Sequence, residues 1–75
     1  MKTIKELTTE HLTLMQHMIF GISVRTHLEE KLIKEITIFD PAFVLIKESP
    51  FDGWEIEKAV LTDDGRAYLN RVIEK

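Results

Sequence analysis

Three sets of residues in this 75-residue chain have types and spacings that could do chemistry. The first is cationic and polar. Thr26, His27, Lys31 and Lys34 fall on one face at helical spacing, and Lys47 and Lys58 flank a turn built on Asp52-Gly53. Lysine neutralises phosphates and fixes register, while polar side chains in the first turns of a helix reach base edges. Glu30 sits in the middle of that helix face, where a carboxylate repels phosphate unless it accepts from a cytosine amine. Glu48, Glu55 and Glu57 stand beside the turn-flanking lysines and oppose the same use. Arg25 projects toward the apolar side and suits a carboxylate as well as DNA. The competing reading of the whole set is a solvated surface. The second set is aromatic and aliphatic. Phe51 and Trp54 bracket the turn, and Tyr68, Leu69, Val72 and Ile73 recur near the C-terminus. Exposed, Phe51 and Trp54 could stack on a base or seed a protein interface. The C-terminal stripe could form the seam of a two-fold homodimer. Folded inward, both groups belong to the chain's own core.

The third set would serve metals or nucleophilic catalysis, and it is thin. His11 and His17 are six residues apart, hence on different helical faces, with no carboxylate spaced to complete a site; they read as ordinary surface histidines. There is no cysteine for a thiolate site or a disulfide. Ser23 and Ser49 lack a convincing base and orienting acid, and no glycine-rich phosphate loop is present. The expectation is no enzyme, no metal and no cofactor.

Seventy-five residues make one domain with a marginal core. The 44% hydrophobic and 31% charged content is a globular balance rather than a disordered one. The formal charge of −3 argues against a general nucleic-acid binder, so DNA contact would need a local basic face. No apolar run approaches a membrane span and no signal-peptide core is evident, which leads to the expectation of a cytoplasmic protein without membrane contact.

The elements that would position these residues can be read from periodicity and caps. Met1 to Glu6 is too short for a stable helix and could add a strand edge through Thr3-Ile4. Leu7 to Phe20 reads as an amphipathic helix capped by Thr8, with Leu12, Met15 and Ile19 on its stripe and Gly21 as its terminator. Val24 to Ile36 reads as a second helix, capped by Ser23 or by a Thr26–Glu29 capping box. Leu28, Leu32 and Ile36 define its expected buried stripe, with Val24 and Ile33 at its flanks. After Pro41, the continuous apolar run Ala42–Ile46 suggests a strand covered on both faces. Pro50 to Gly53 turns the chain, and Trp54, Ile56 and Val60 alternate with glutamates as in a half-exposed strand, with Lys58 interrupting the apolar side. Thr62, Asp63 and Asp64 open a last helix. The order helix, helix, hairpin, helix is α+β.

The hairpin followed by Leu61-Thr62-Asp63-Asp64-Gly65-Arg66 resembles the winged helix-turn-helix domains of bacterial and phage regulators, over roughly residues 42 to 70. Gly21-Ile22-Ser23 is similar to the turn of a helix-turn-helix. The resemblance implies a small or degenerate winged helix whose second helix lies in a major groove and whose hairpin is the wing. Its DNA contacts would be Thr26, His27, Lys31, Lys34, Lys47 and Lys58. Only two helices fit before the hairpin. Either the second is the reader, or the two are the supporting pair and the reader is missing. The expected function is accordingly a DNA-binding regulator acting as a homodimer. The alternative is a winged-helix-like protein-interaction module, with Phe51, Trp54, Tyr68, Leu69 and Val72 as interface residues.

Overall fold

The computed structural model describes residues 7–73, so the strand edge expected from Thr3-Ile4 lies outside the described residues. Among these residues the chain is an α+β unit with helices α1 (Thr9–His17), α2 (His27–Phe39) and α3 (Asp63–Ile73) and strands β1 (Ile22–Ser23), β2 (Val44–Glu48) and β3 (Ile56–Leu61). The strands form one antiparallel sheet in the order β1-β3-β2. Short 3-10 turns at Met18–Phe20 and Pro41–Phe43 prolong α1 and introduce β2.

Each junction follows from local chemistry. Gly21 takes φ of 87°, a conformation that favours glycine, and its amide closes on the carbonyl of Met18. The chain leaves it extended. Ile22 and Ser23 then pair with Ala59 and Lys58, and the Val24 amide bonds to the Glu57 carbonyl at 2.9 Å. Gly21-Ile22-Ser23 is therefore a strand, and the expected helix-turn-helix turn is corrected. Of the two starts open to α2, Ser23 caps nothing and the helix begins on the Thr26–Glu29 capping box. It also runs past Ile36 to Phe39. Pro41 excludes the helical conformation only from Asp40, whose carboxylate then accepts from the Ala42 amide at 2.9 Å.

The inward face of α2 also differs from expectation. Ile33 and Ile36 are fully buried and Glu30 joins them at 7% exposure, whereas Leu28 is 59% exposed and Leu32 only partly covered. Aliphatic residues surround much of this helix, so apolar spacing alone does not choose its face.

In the sheet, Lys47 pairs with Lys58 but Glu48 pairs with Ile56, which leaves Glu57 as an extra residue on β3. This bulge reverses the alternation. Ile56 faces the core before it, and Ala59 and Leu61 face the core after it, while Lys58 and Val60 turn to the other side. The lysine that interrupted the alternating pattern is thereby placed outward. β2 is an edge strand, and of its five residues only Val44 is buried; Leu45 is 65% exposed. The expectation of a strand covered on both faces is corrected: the outer face of the sheet is bare among the described residues.

The core joins Met15 and Met18 near the end of α1, Ile33 and Ile36 from α2, Phe43 and Val44, the inward residues of β3, and Leu69 of α3. Thr62 holds α3 in place. Its hydroxyl donates to the Ala42 carbonyl at 2.5 Å and accepts from the Gly65 amide at 3.1 Å, and its own amide donates to the Phe43 carbonyl. Gly65 is needed for a separate reason: a Cβ there would lie 2.5 Å from the Phe43 carbonyl oxygen and 2.7 Å from Leu61 Cδ1. Alanine in a helix interior ordinarily gains about 1 kcal/mol over glycine. At Gly65 the overlap with backbone reverses the sign. Gly65→Ala is expected to destabilise the fold by about 1–3 kcal/mol, the usual range for overpacking. Urea denaturation measures this, and an unchanged or raised midpoint would contradict the packing described.

Candidate functional site

Of the residues expected to read DNA, His27 and Lys34 lie at the seam between α2 and the β2–β3 hairpin, on either side of Glu30. Glu30 Oε2 accepts from the amides of Glu55 at 2.8 Å and Ile56 at 3.1 Å, where the chain enters β3. These two hydrogen bonds, the Glu55 one first, hold the Glu30 carboxyl below the ordinary glutamate value; burial opposes them, and Lys34 and His27 assist weakly. One turn earlier, the His27 ring stacks on Trp54 with centroids 4.1 Å apart, and its Nε2 lies 3.1 Å from the Gly53 carbonyl. A carbonyl oxygen only accepts, so Nε2 carries the proton. One turn later, Lys34 forms an ion pair with Glu55. His27, Glu30 and Lys34 thus fasten α2 to the hairpin.

Glu30 is buried at this seam while Thr26, His27 and Lys31 around it are exposed, so the expected solvated face is corrected at Glu30 alone. Thr26 is spent on its capping box with Glu29, and Lys31 alone of the expected helix contacts remains exposed with no ion-pair partner among the described residues. The outward side of α2 carries Leu28 and Ile38, 59% and 58% exposed, beside Lys31.

Lys47 and Lys58 lie across from each other on the outer sheet face, together with Leu45 and its cross-strand partner Val60. Lys47 reaches the bulge residue Glu57 at 3.3 Å. A shallow depression is lined by Leu45, Lys47, Lys58 and Val60, and a separate one on the β1 side is lined by Lys58 and the nearly fully exposed Phe20. At the hairpin tip Phe51 is 67% exposed, whereas Trp54 is half-covered by His27.

The C-terminal stripe is not a free seam. Leu69 is 2% exposed, and Tyr68 stacks against Phe39 and Phe43 at centroid distances of 5.4 and 4.9 Å. Val72 is half-buried on the same helix. Tyr68 and Leu69 fill the chain's own core, so the expected interface through them is corrected; Ile73 is the exposed member of the stripe.

His11 is a further correction, since it is 6% exposed. Its Nδ1 accepts from the Thr8 amide at 3.0 Å and lies 2.8 Å from the Thr8 hydroxyl. Because the amide can only donate, Nδ1 is unprotonated in this arrangement and Nε2–H donates to Glu35 at 2.9 Å. The residue that caps α1 therefore also ties it to α2. Thr8-x-x-His11 has capping-box spacing with histidine in the usual glutamate position, a signal present in the sequence. Glu30 had one too, three residues before Ile33 on the same helical face. No group of three or more metal-ligating side chains gathers among the described residues, and none of their helices is long and apolar enough to cross a membrane.

Comparison with protein-family models, characterised proteins and solved structures returns no match to this chain.

The lowered Glu30 carboxyl has a signed consequence. Its stabilisation is complete above the ordinary value of 4.5 and is lost as pH falls through the lower folded value. Glu30→Gln should melt below the native protein at pH 7, with the gap closing as pH falls through that range. Thermal melts between about pH 7 and pH 3 read it. A gap independent of pH would contradict an ionised carboxylate at the seam.

Proposed function

We propose that this chain is a small, degenerate winged-helix-like module that binds protein rather than reading DNA. The observation that carries this is the commitment of the polar face of α2 to its own hairpin through Glu30, His27 and Lys34. A helix that enters a major groove must present such side chains to base edges. Here Glu30, His27 and Lys34 each have a partner on the hairpin, and the exposed residues of α2 include two aliphatic ones, Leu28 and Ile38, beside His27 and Lys31. The net charge of −3 adds to the same reading.

The winged-helix likeness is supported by the antiparallel hairpin that feeds the Thr62-capped α3 and by the two helices before it. A strand, β1, stands between those helices where a helix-turn-helix would have its turn. This favours the arrangement in which the reading helix is missing. Burial of Leu69 and Tyr68 leaves a homodimer through α3 without its seam.

Mixed-sequence duplex DNA separates the two functions. Non-specific binders hold duplex with dissociation constants of about 100 μM or tighter at physiological salt, and more tightly as salt is lowered. Fluorescence anisotropy at low salt is expected to show no saturable binding over that range. Binding that falls steeply with salt and disappears in Lys31→Glu/Lys34→Glu would overturn the interaction reading in favour of DNA.

A further inference from the structure

Two features of the sheet converge on β2. Among the described residues its outer side is the long, unpaired edge of the sheet. β1 at the opposite edge has two residues, β2 has five, and β3 is the only strand bonded to β2 among the described residues. Protected edges are usually short, bulged, interrupted by proline or charged, and of these devices β2 carries charge, at Lys47 and Glu48. β2 contains no proline, and the bulge lies on β3, so Val44–Glu48 offers an unbroken row of backbone donors and acceptors. The second feature is charge. Lys47 and Lys58 are direct cross-strand neighbours on the bare face, an arrangement that like charges disfavour. Glu57 answers Lys47 from the bulge, and Lys58 has no ion-pair partner among the described residues. Leu45 and Val60 continue the same face one pair along, and Ile46 is 39% exposed at the edge.

We propose that β2 is the docking edge for an extended acidic segment of a partner protein, which adds to the sheet as a fourth strand and places carboxylates beside the lysine pair. This rests on the reading of the chain as an interaction module and names the chemistry of its partner. Backbone bonds to the β2 edge supply affinity without sequence, and alternate side chains supply selectivity. The added strand would run about 4.8 Å from β2, which puts its outward residues level with Leu45 and Lys47. The flexible lysine stem lets Lys58 lean across from the neighbouring strand. An aliphatic residue beside Leu45 and an acidic residue beside Lys47 complete the match. The pattern sought in the partner is alternating carboxylate and branched aliphatic residues.

The probe is a capped octapeptide of alternating valine and glutamate, titrated into the 15N-labelled 75-residue chain. Amide shifts centred on Val44–Glu48 are expected. Lys47→Gln/Lys58→Gln should weaken them by about tenfold, the scale of two exposed ion pairs. A central proline in the peptide should abolish binding with the protein unaltered. An alternating valine–lysine peptide should not bind. The edge assignment is overturned if millimolar valine–glutamate peptide leaves these amides unmoved, or if the lysine peptide binds equally. It is also overturned if the same amides shift with protein concentration alone, since a second copy would then be the occupant. Those results leave the interaction reading standing. Shifts produced by duplex DNA and not by peptide would overturn both.

Discussion

A single carboxylate decides what surface this chain presents. Glu30 is nearly buried on α2 and receives two amide protons from the start of β3, 25 and 26 residues further on. A buried carboxylate without partners is costly, and backbone amides at a strand entrance need acceptors. Each requirement is met by the other, so α2 can rotate about its axis in only one way. That rotation sends Ile33 and Ile36 inward, leaves Leu28 and Ile38 outside, and brings His27 over Trp54 and Lys34 to Glu55. The centre of a helix face that looks uniformly polar is thereby turned into a joint, with the exposed His27 and the partly exposed Lys34 bonded to the hairpin on either side of it.

The bulge at Glu57 does the corresponding work in the sheet. An alternating strand through this segment would have set Lys58 on the same side as Ile56, against the core. One extra residue places Ile56, Ala59 and Leu61 on one side and Lys58 on the other, and it brings the Glu57 carboxylate within reach of Lys47. The inner face packs on the helices, and the outer face gathers two lysines, Leu45 and Val60 beside an edge that is unpaired among the described residues. The two devices are coupled, because Glu30 grips the chain at Glu55 and Ile56, just before the bulge.

Much of the architecture is legible from local signals. Thr8, Thr26 and Thr62 stand at helix starts, Asp52-Gly53 turns the hairpin, and the elements sum to an α+β unit. These signals act over a few residues, and tertiary context did not override them. What escaped depends on partners distant in sequence. Ile22-Ser23 is a strand only because β3 lies alongside, and two residues carry no periodicity of their own. The direction of α2 follows from amides beyond the turn. His11 is buried because Glu35 waits on α2 for its second nitrogen. The lysines, glutamates and aromatics are conspicuous by type alone. Their roles divided between joint, core and surface by geometry that spacing does not encode.

Amide hydrogen exchange at Glu55 and Ile56 reaches the joint without relying on any ligand. Both amides should exchange slowly in the native chain, and Glu30→Ala should speed them selectively while the amides of Ala59 and Leu61 in the same strand keep their protection. Rapid exchange of Glu55 and Ile56 in the native chain would contradict the joint and return the polar face of α2 to solvent.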